Sequence, residues 1–277
     1  MPRISELVNA FTQFDTFEQQ AAGRRVAIFS DYDGVLTPIV DRPEDAVITP
    51  QMGASVRRLS TACSVCIVSG RDREVVQELM GVDDLVVAGS HGFDIWSPSA
   101  GAIEMRMGGE HKELIEQARD QVTEELSGID GVLIEPKLTS VAVHYRLVSP
   151  QEQKTVTDCV ERILAAHPDS LKVTPGKMVL EIQPKVEWDK GRAVLYLMER
   201  LGLDGPDVVP VYLGDDITDE HAFSALRGRG IGIFVGTADD PEVADRHSDA
   251  TLRLDSPDEV QRFFDRLASE LIDGDDR

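Results

Sequence analysis

Residues 25–34, RVAIFSDYDG, carry four uncharged core-type side chains, Val26 to Phe29, and then deliver Asp31 and Asp33 with Gly34 close behind. A short continuous apolar run bounded by a turn signal reads as a strand buried on both faces, the kind found in parallel sheets. Open α/β sheets place their ligands outside the carboxyl ends of such strands, which is where these two carboxylates stand. At i, i+2 spacing both side chains can turn to one side of the strand exit. There they could share a divalent cation or divide nucleophile and acid–base roles. A plain turn uses the same residues; an EF-hand does not fit, because Val35, Leu36 and Arg42 stand where its acidic, glycine and glutamate positions fall.

Outward from this strand, short apolar runs alternate with helical patterns. SVCIVSG is followed by RDREVVQELM and then LVVAGS; late in the chain GRAVLYLMERLG precedes DVVPVYLG, and TDEHAFSALRG precedes IGIFVG and ATLRL. This grammar predicts a Rossmann-like parallel sheet with helices on its faces, the helix over Arg192 to Leu201 ending at Gly202. The middle reads differently: helix, two strands, helix, two strands, an α+β insert of order αββαββ. Val156, Cys159, Val160, Ile163 and Leu164 form one stripe of its second helix, which marks a helix laid on a sheet. The expected division is a discontinuous core of residues 1–106 and 187–277 around a cap of residues 107–186.

Alternation in the insert separates two faces. Val141, Val143 and Tyr145 oppose His144 and Arg146, while Met178, Leu180 and Ile182 oppose Lys177, Glu181 and Gln183. One sheet face is therefore apolar and the other displays hydrogen-bonding groups, either to water or to a ligand.

Three further signals lie at other strand and helix ends: Ser69-Gly70-Arg71, Asp189-Lys190-Gly191 and Gly214-Asp215-Asp216. Singly, each reads as capping or solvated charge. Jointly they supply a hydroxyl and an ammonium for phosphate oxygens, a carboxylate pair for Mg²⁺ and an Asp nucleophile, the parts of a phosphoryl-transfer site. Competing motifs fail: Ile233 replaces the final Gly of a dinucleotide fingerprint, Lys177 precedes Met178 where a Walker A loop needs Ser or Thr, Ile67 replaces the first Gly of a nucleophile elbow, and no H-E-x-x-H occurs.

Composition limits the partners. Lys and Arg number 28 against 50 Asp and Glu, a formal charge of −22, with 42% apolar residues over 277 positions. Such a chain folds as a soluble globule and repels nucleic-acid backbones and anionic lipid surfaces. A salt-adapted surface accounts for the excess of acid, as does simple solubility. Glu6, Asp15 and Glu18 interrupt any secretory apolar run and no segment is long enough to span a bilayer, so the expected location is cytoplasmic. With three Cys there is no four-thiolate zinc site, and Cys63 and Cys66 read as buried strand thiols. The oligomeric state is not encoded in any motif, and a monomer satisfies all of them.

The order D-x-D-G, S-G-R, D-K-G, G-D-D-x-T-D-E resembles the four-motif pattern of the haloacid dehalogenase superfamily. Within it DYDGVLTPIVDRPEDA, VVAGSHGFDIW, SVAVHYR, GKMVLEIQP and YLGDDITDEHAF resemble trehalose-6-phosphate phosphatases across essentially the whole chain. The insert matches that family's cap. Val35 stands where Thr is commonest and Gln183 where Arg is frequent. The resemblance implies Mg²⁺-dependent hydrolysis of trehalose 6-phosphate, a small-molecule substrate, through an aspartyl-phosphate on Asp31. Asp33 would act as acid and then base, while Ser69 and Lys190 clamp the phosphoryl oxygens. Mg²⁺ would rest on Asp31, the Asp33 carbonyl and Asp215, with Asp216 and Asp219 behind them. Sugar recognition would fall to Arg71, His91, Gly92, His144, Arg146, Lys177 and Glu181. A capped phosphatase for another sugar phosphate, or a sugar phosphomutase, shares these motifs.

Overall fold

The computed structural model describes residues 1–82, 84–98, 105–106, 111–240 and 243–275. Thirteen strands are numbered in chain order among these residues: β1 (Val8–Asn9), β2 (Arg25–Ser30), β3 (Ser64–Val68), β4 (Val86–Gly89), β5 (Asp94–Trp96), β6 (Met105–Arg106), β7 (Leu133–Pro136), β8 (Val141–His144), β9 (Leu171–Gly176), β10 (Val179–Pro184), β11 (Val208–Gly214), β12 (Ile231–Val235) and β13 (Leu252–Leu254). Nine of them form one sheet in the order β1-β13-β12-β11-β2-β3-β4-β5-β6, parallel from β1 through β4. The fold is α/β, as expected.

Side-chain parity builds the layers. Along β2, Val26 and Ile28 enter one apolar cluster while Ala27 and Phe29 enter the other, and β3 and β11 divide likewise. The first cluster is closed by α1 (Phe14–Ala21), α2 (Pro50–Ser60), α3 (Arg73–Met80) and the long C-terminal helix Pro257–Asp275; the second by the helices Lys190–Arg200 and Glu220–Ala225. The helix Lys190–Arg200 starts on Asp189, whose carboxylate accepts the Arg192 N–H at 2.9 Å, and gives out before Gly202 at φ +63°.

The chain runs from β2 outward through β3 and β4, then returns to lay β11 against the other side of β2, with Leu213 beside Ser30. Strand order therefore reverses between β2 and β11, and Asp31 and Asp215 leave the sheet side by side at this switch point.

The insert forms its own antiparallel sheet, β7-β8-β10-β9. Its helices α4 (Lys112–Glu125) and α5 (Gln153–Ala166) pack on one face, where Val122, Val143, Val156 and Ile182 are fully buried. The expected junction after residue 106 runs outside the described residues.

Three local expectations are corrected. The parallel sheet carries the antiparallel strands β5 and β6 at one edge and the two-residue β1 at the other, elements too short for a periodic signal. Cys63 lies half-buried in the turn before β3 and not in the strand. Met178 occupies the β9–β10 turn at φ +62° and leaves the apolar face to Leu180 and Ile182.

Candidate active site

Asp31 emerges at the carboxyl end of β2, 6% exposed, with Oδ1 accepting the Tyr32 N–H at 2.6 Å and Oδ2 accepting Lys190 Nζ at 2.5 Å. Lys190, 2% exposed at the first turn of its helix, also donates to Asp219 Oδ1 at 2.7 Å. Asp219 is saturated: Tyr212 OH donates to Oδ1 at 2.6 Å, and the N–H groups of Asp215 and Asp216 both reach Oδ2 at 2.9 Å. This carboxylate thus organises the loop after β11. Close approach depends on two glycines. A Cβ on Gly34, at φ +73°, would stand 2.2 Å from Asp215 Oδ2, and one on Gly214 would stand 2.3 Å from Asp219 Cγ.

The electrostatics follow from burial. Burial pushes the Asp31 carboxyl well above the usual range against the pull of Lys190, and pushes Asp215 up to about 7 although Lys177 donates to its Oδ2 at 2.6 Å. Burial would lower Lys190, yet Asp219 and Asp31 raise it and hold it as an ammonium. Asp31, Asp215 and Asp219 bring carboxylate oxygens within 4.8 Å of one another. Such a buried set of hard oxygen donors, with Asp215 held at the ionised form's expense, suits a divalent cation of the Mg²⁺ class. Asp31 and Asp215 fit as direct ligands; Asp219, whose oxygens already accept four donors, fits behind them.

Asp33 turns the other way, into a two-pronged pair with Arg71: Nε to Oδ2 at 2.7 Å and Nη2 to Oδ1 at 2.8 Å. Ser69 is fully buried, its hydroxyl accepting the Arg71 backbone N–H at 3.2 Å.

The polar face of the insert's sheet closes over these groups. Glu181 receives Lys137 Nζ at 3.2 Å, Ser140 Oγ at 2.5 Å and the His91 ring at 3.0 Å. Burial alone would raise its carboxyl, but Lys137 and His91 outweigh burial and hold it far below the usual range. Lys137 also donates to the Gly70 carbonyl at 2.9 Å, a direct bond from the insert to the loop after β3. His144 meets Glu135 at 2.8 Å, and Arg146 donates to the Lys177 carbonyl at 2.8 Å. Together the two sides enclose a cavity of about 180 Å³.

The family model described as trehalose-phosphatase matches residues 29–258, from within β2 to the start of the C-terminal helix. The chain belongs to the trehalose-phosphatase family. A Mycobacterium avium protein named trehalose-phosphate phosphatase is 38% identical over 277 residues, covering 99% of this chain and 70% of that protein. A Mycobacterium tuberculosis protein named as an uncharacterized glycosyl hydrolase is 38% identical over 271 residues; the match takes in 97% of this chain and 20% of that far longer protein. In fold, the C-terminal domain of Candida albicans trehalose-6-phosphate phosphatase superposes with a TM-score of 0.79 at 22% identity, over 95% of this chain and 98% of that one.

For a chain of this family, the structure assembles most of the residues singled out from sequence. Asp31, Asp33, Arg71, His91, His144, Arg146, Lys177, Glu181, Lys190, Asp215 and Asp216 all line the one cavity. Ser69, Gly92 and Asp219 are buried and do not line it. Gly92, at φ +92°, packs so closely on the helix Lys190–Arg200 that a Cβ would meet Ala193 Cβ at 2.3 Å. Glu135 and Lys137 also line the cavity and escaped the sequence reading. Glu135 was within reach of it, because Ile134 packs against the apolar cluster and its neighbour must face the other way. Lys137 lies past the end of β7, where alternation stops.

Among the described residues, no helix is long and apolar enough to cross a membrane.

Proposed function

We propose that this chain hydrolyses trehalose 6-phosphate to trehalose and inorganic phosphate in the cytoplasm, with residues 107–186 acting as a cap on a discontinuous core of residues 1–106 and 187–277. The observation that carries the reading is the placement of Asp31 and Lys190 at the sheet's switch point, directly beneath a cap face of paired hydrogen-bonding side chains.

In this reading Asp31 attacks phosphorus as the bond to the sugar oxygen breaks, and Asp33 gives that oxygen its proton. Water then attacks the aspartyl-phosphate, losing a proton to Asp33 and returning Asp31 as a carboxylate. Lys190 and the Ser69 hydroxyl hold phosphoryl oxygens, so that charge developing on them meets a fixed ammonium and a fixed dipole. Mg²⁺, held by Asp31, the Asp33 carbonyl and Asp215 with Asp216 and Asp219 in support, would supply neutralisation of phosphoryl charge. His91, His144, Arg146, Lys177 and Glu181 read the sugar hydroxyls, and Gly92 sets the close packing that presents His91. A disaccharide suits this face, since each sugar hydroxyl both donates and accepts.

The test is Asp31→Asn in the full chain. Turnover should vanish with the fold intact by circular dichroism, and acid quenching should trap a phosphoenzyme from the wild-type protein and none from the variant. Wild-type turnover in Asp31→Asn would refute the mechanism.

A further inference from the structure

We propose that Arg71 is a positioning residue for the acid–base carboxylate Asp33, acting through its two-pronged ion pair and not as a ligand of the sugar; this rests on the phosphatase reading above. The guanidinium is held on every side that the structure defines. Nε and Nη2 take both oxygens of Asp33 at 2.7 and 2.8 Å, and Nη1 donates to the Pro43 carbonyl at 2.8 Å. The Tyr32 ring lies 5.7 Å from the guanidinium carbon, and Tyr32 OH is itself tied to the Ala46 carbonyl at 2.7 Å. The backbone is clamped as well: Ser69 Oγ accepts the Arg71 N–H at 3.2 Å and the Ser90 N–H donates to the Arg71 carbonyl at 2.6 Å.

Arg71 is only 8% exposed, and three of its donor nitrogens are already engaged by protein. Little of it is left for sugar hydroxyls. What it does supply is geometry, because a planar fork fixes the plane and the rotamer of a carboxylate, which a point charge cannot do. Asp33 needs that constraint more than its neighbours. Asp31 is oriented by Lys190 and the Tyr32 N–H, and Asp219 by four donors, whereas both fixed contacts of Asp33 come from Arg71. Asp33 must hand its proton to the departing oxygen as the P–O bond breaks and later accept one from water as the Asp31–P bond breaks. Proton transfer of this kind demands a carboxyl held at hydrogen-bond reach of the reacting oxygen.

The consequence is a dependence on the leaving group that a sugar ligand does not produce. An acid helps most when the departing oxygen is basic. Single-turnover release from two sugar-free substrates, phenyl phosphate and p-nitrophenyl phosphate, reads this directly. Arg71→Met should slow phenol release about tenfold more than nitrophenol release, and Arg71→Lys, which keeps the charge and loses the fork, should fall between Arg71→Met and wild type. In an Asp33→Asn background, Arg71→Met should change phenol release by no more than about twofold, since the group it positions is gone. Equal losses on both aryl phosphates, losses confined to sugar phosphates, or losses that multiply in the double variant would each overturn the proposal while the phosphatase reading stands. A wild-type protein inert on both aryl phosphates and on sugar phosphates would overturn the two together. If Arg71→Met does not fold, Arg71→Lys alone decides, by whether its loss on phenyl phosphate exceeds its loss on p-nitrophenyl phosphate.

Discussion

Lys190 is the residue on which the carboxylate cluster depends. It is buried between Asp31 and Asp219, and Asp215 lies within the same oxygen cage. Replacing it with Met keeps the volume and removes the positive charge, leaving buried carboxylates that burial already drives toward protonation. Lys190→Met should therefore destabilise the metal-free protein by roughly 3–5 kcal/mol in denaturant melts and abolish phosphate release. Gly34 makes a second, narrower test. Its left-handed φ and the 2.2 Å approach of Asp215 mean that Gly34→Ala must push the Asp215 carboxylate aside. Backbone strain should cost roughly 1–2 kcal/mol in the same melts, while activity should fall far more than stability. At this scale, much of the site was legible in advance. Asp31, Asp33 and Asp215 stand out only jointly, since each alone reads as a turn or capping residue while several at the ends of buried strands supply the parts of a phosphoryl-transfer site. The pairing of Asp33 with Arg71 was not legible, because residues 38 positions apart meet only through the parallel β2–β3 alignment.

Among the elements, the insert's sheet shows how one strand serves two ends. Along β10, Leu180 and Ile182 face the helices α4 and α5, and Glu181 faces the cavity. Ile182 is fully buried, so Ile182→Ala should destabilise the protein by roughly 2–5 kcal/mol through the cavity it leaves, a loss read from thermal or urea melts. Glu181→Ala should instead damage sugar-phosphate turnover well beyond hydrolysis of an aryl phosphate, since Lys137, Ser140 and His91 all depend on it. Alternation identified both faces of β10 because period two is enforced wherever one face is buried. It failed at Met178, where the chain reverses. It was also silent on β1, β5 and β6, strands of two or three residues that pairing with their neighbours defines.

Over the whole molecule, one topological fact organises the rest: the insert separates β4 from β11, yet β11 returns to the side of β2, so carboxylates from both ends of the chain meet in one crevice. The charge of −22 belongs to this scale too. Mutual repulsion of a strongly acidic surface weakens as salt screens it, with a Debye length of about 3 Å at 1 M. The unfolding midpoint should hold or rise from dilute buffer to molar KCl; a steady fall would assign the acidic surface to solubility alone. The crevice and the insert's polar sheet face are expected to act together on one sugar phosphate, and inorganic phosphate released from a panel of sugar phosphates, trehalose 6-phosphate among them, with Mg²⁺ and again after chelation, reads this directly. Selective release from trehalose 6-phosphate that stops on chelation and returns with Mg²⁺ is the predicted result. Preference for another sugar phosphate would contradict the reading of the cap, and no release from any of them would contradict the account as a whole.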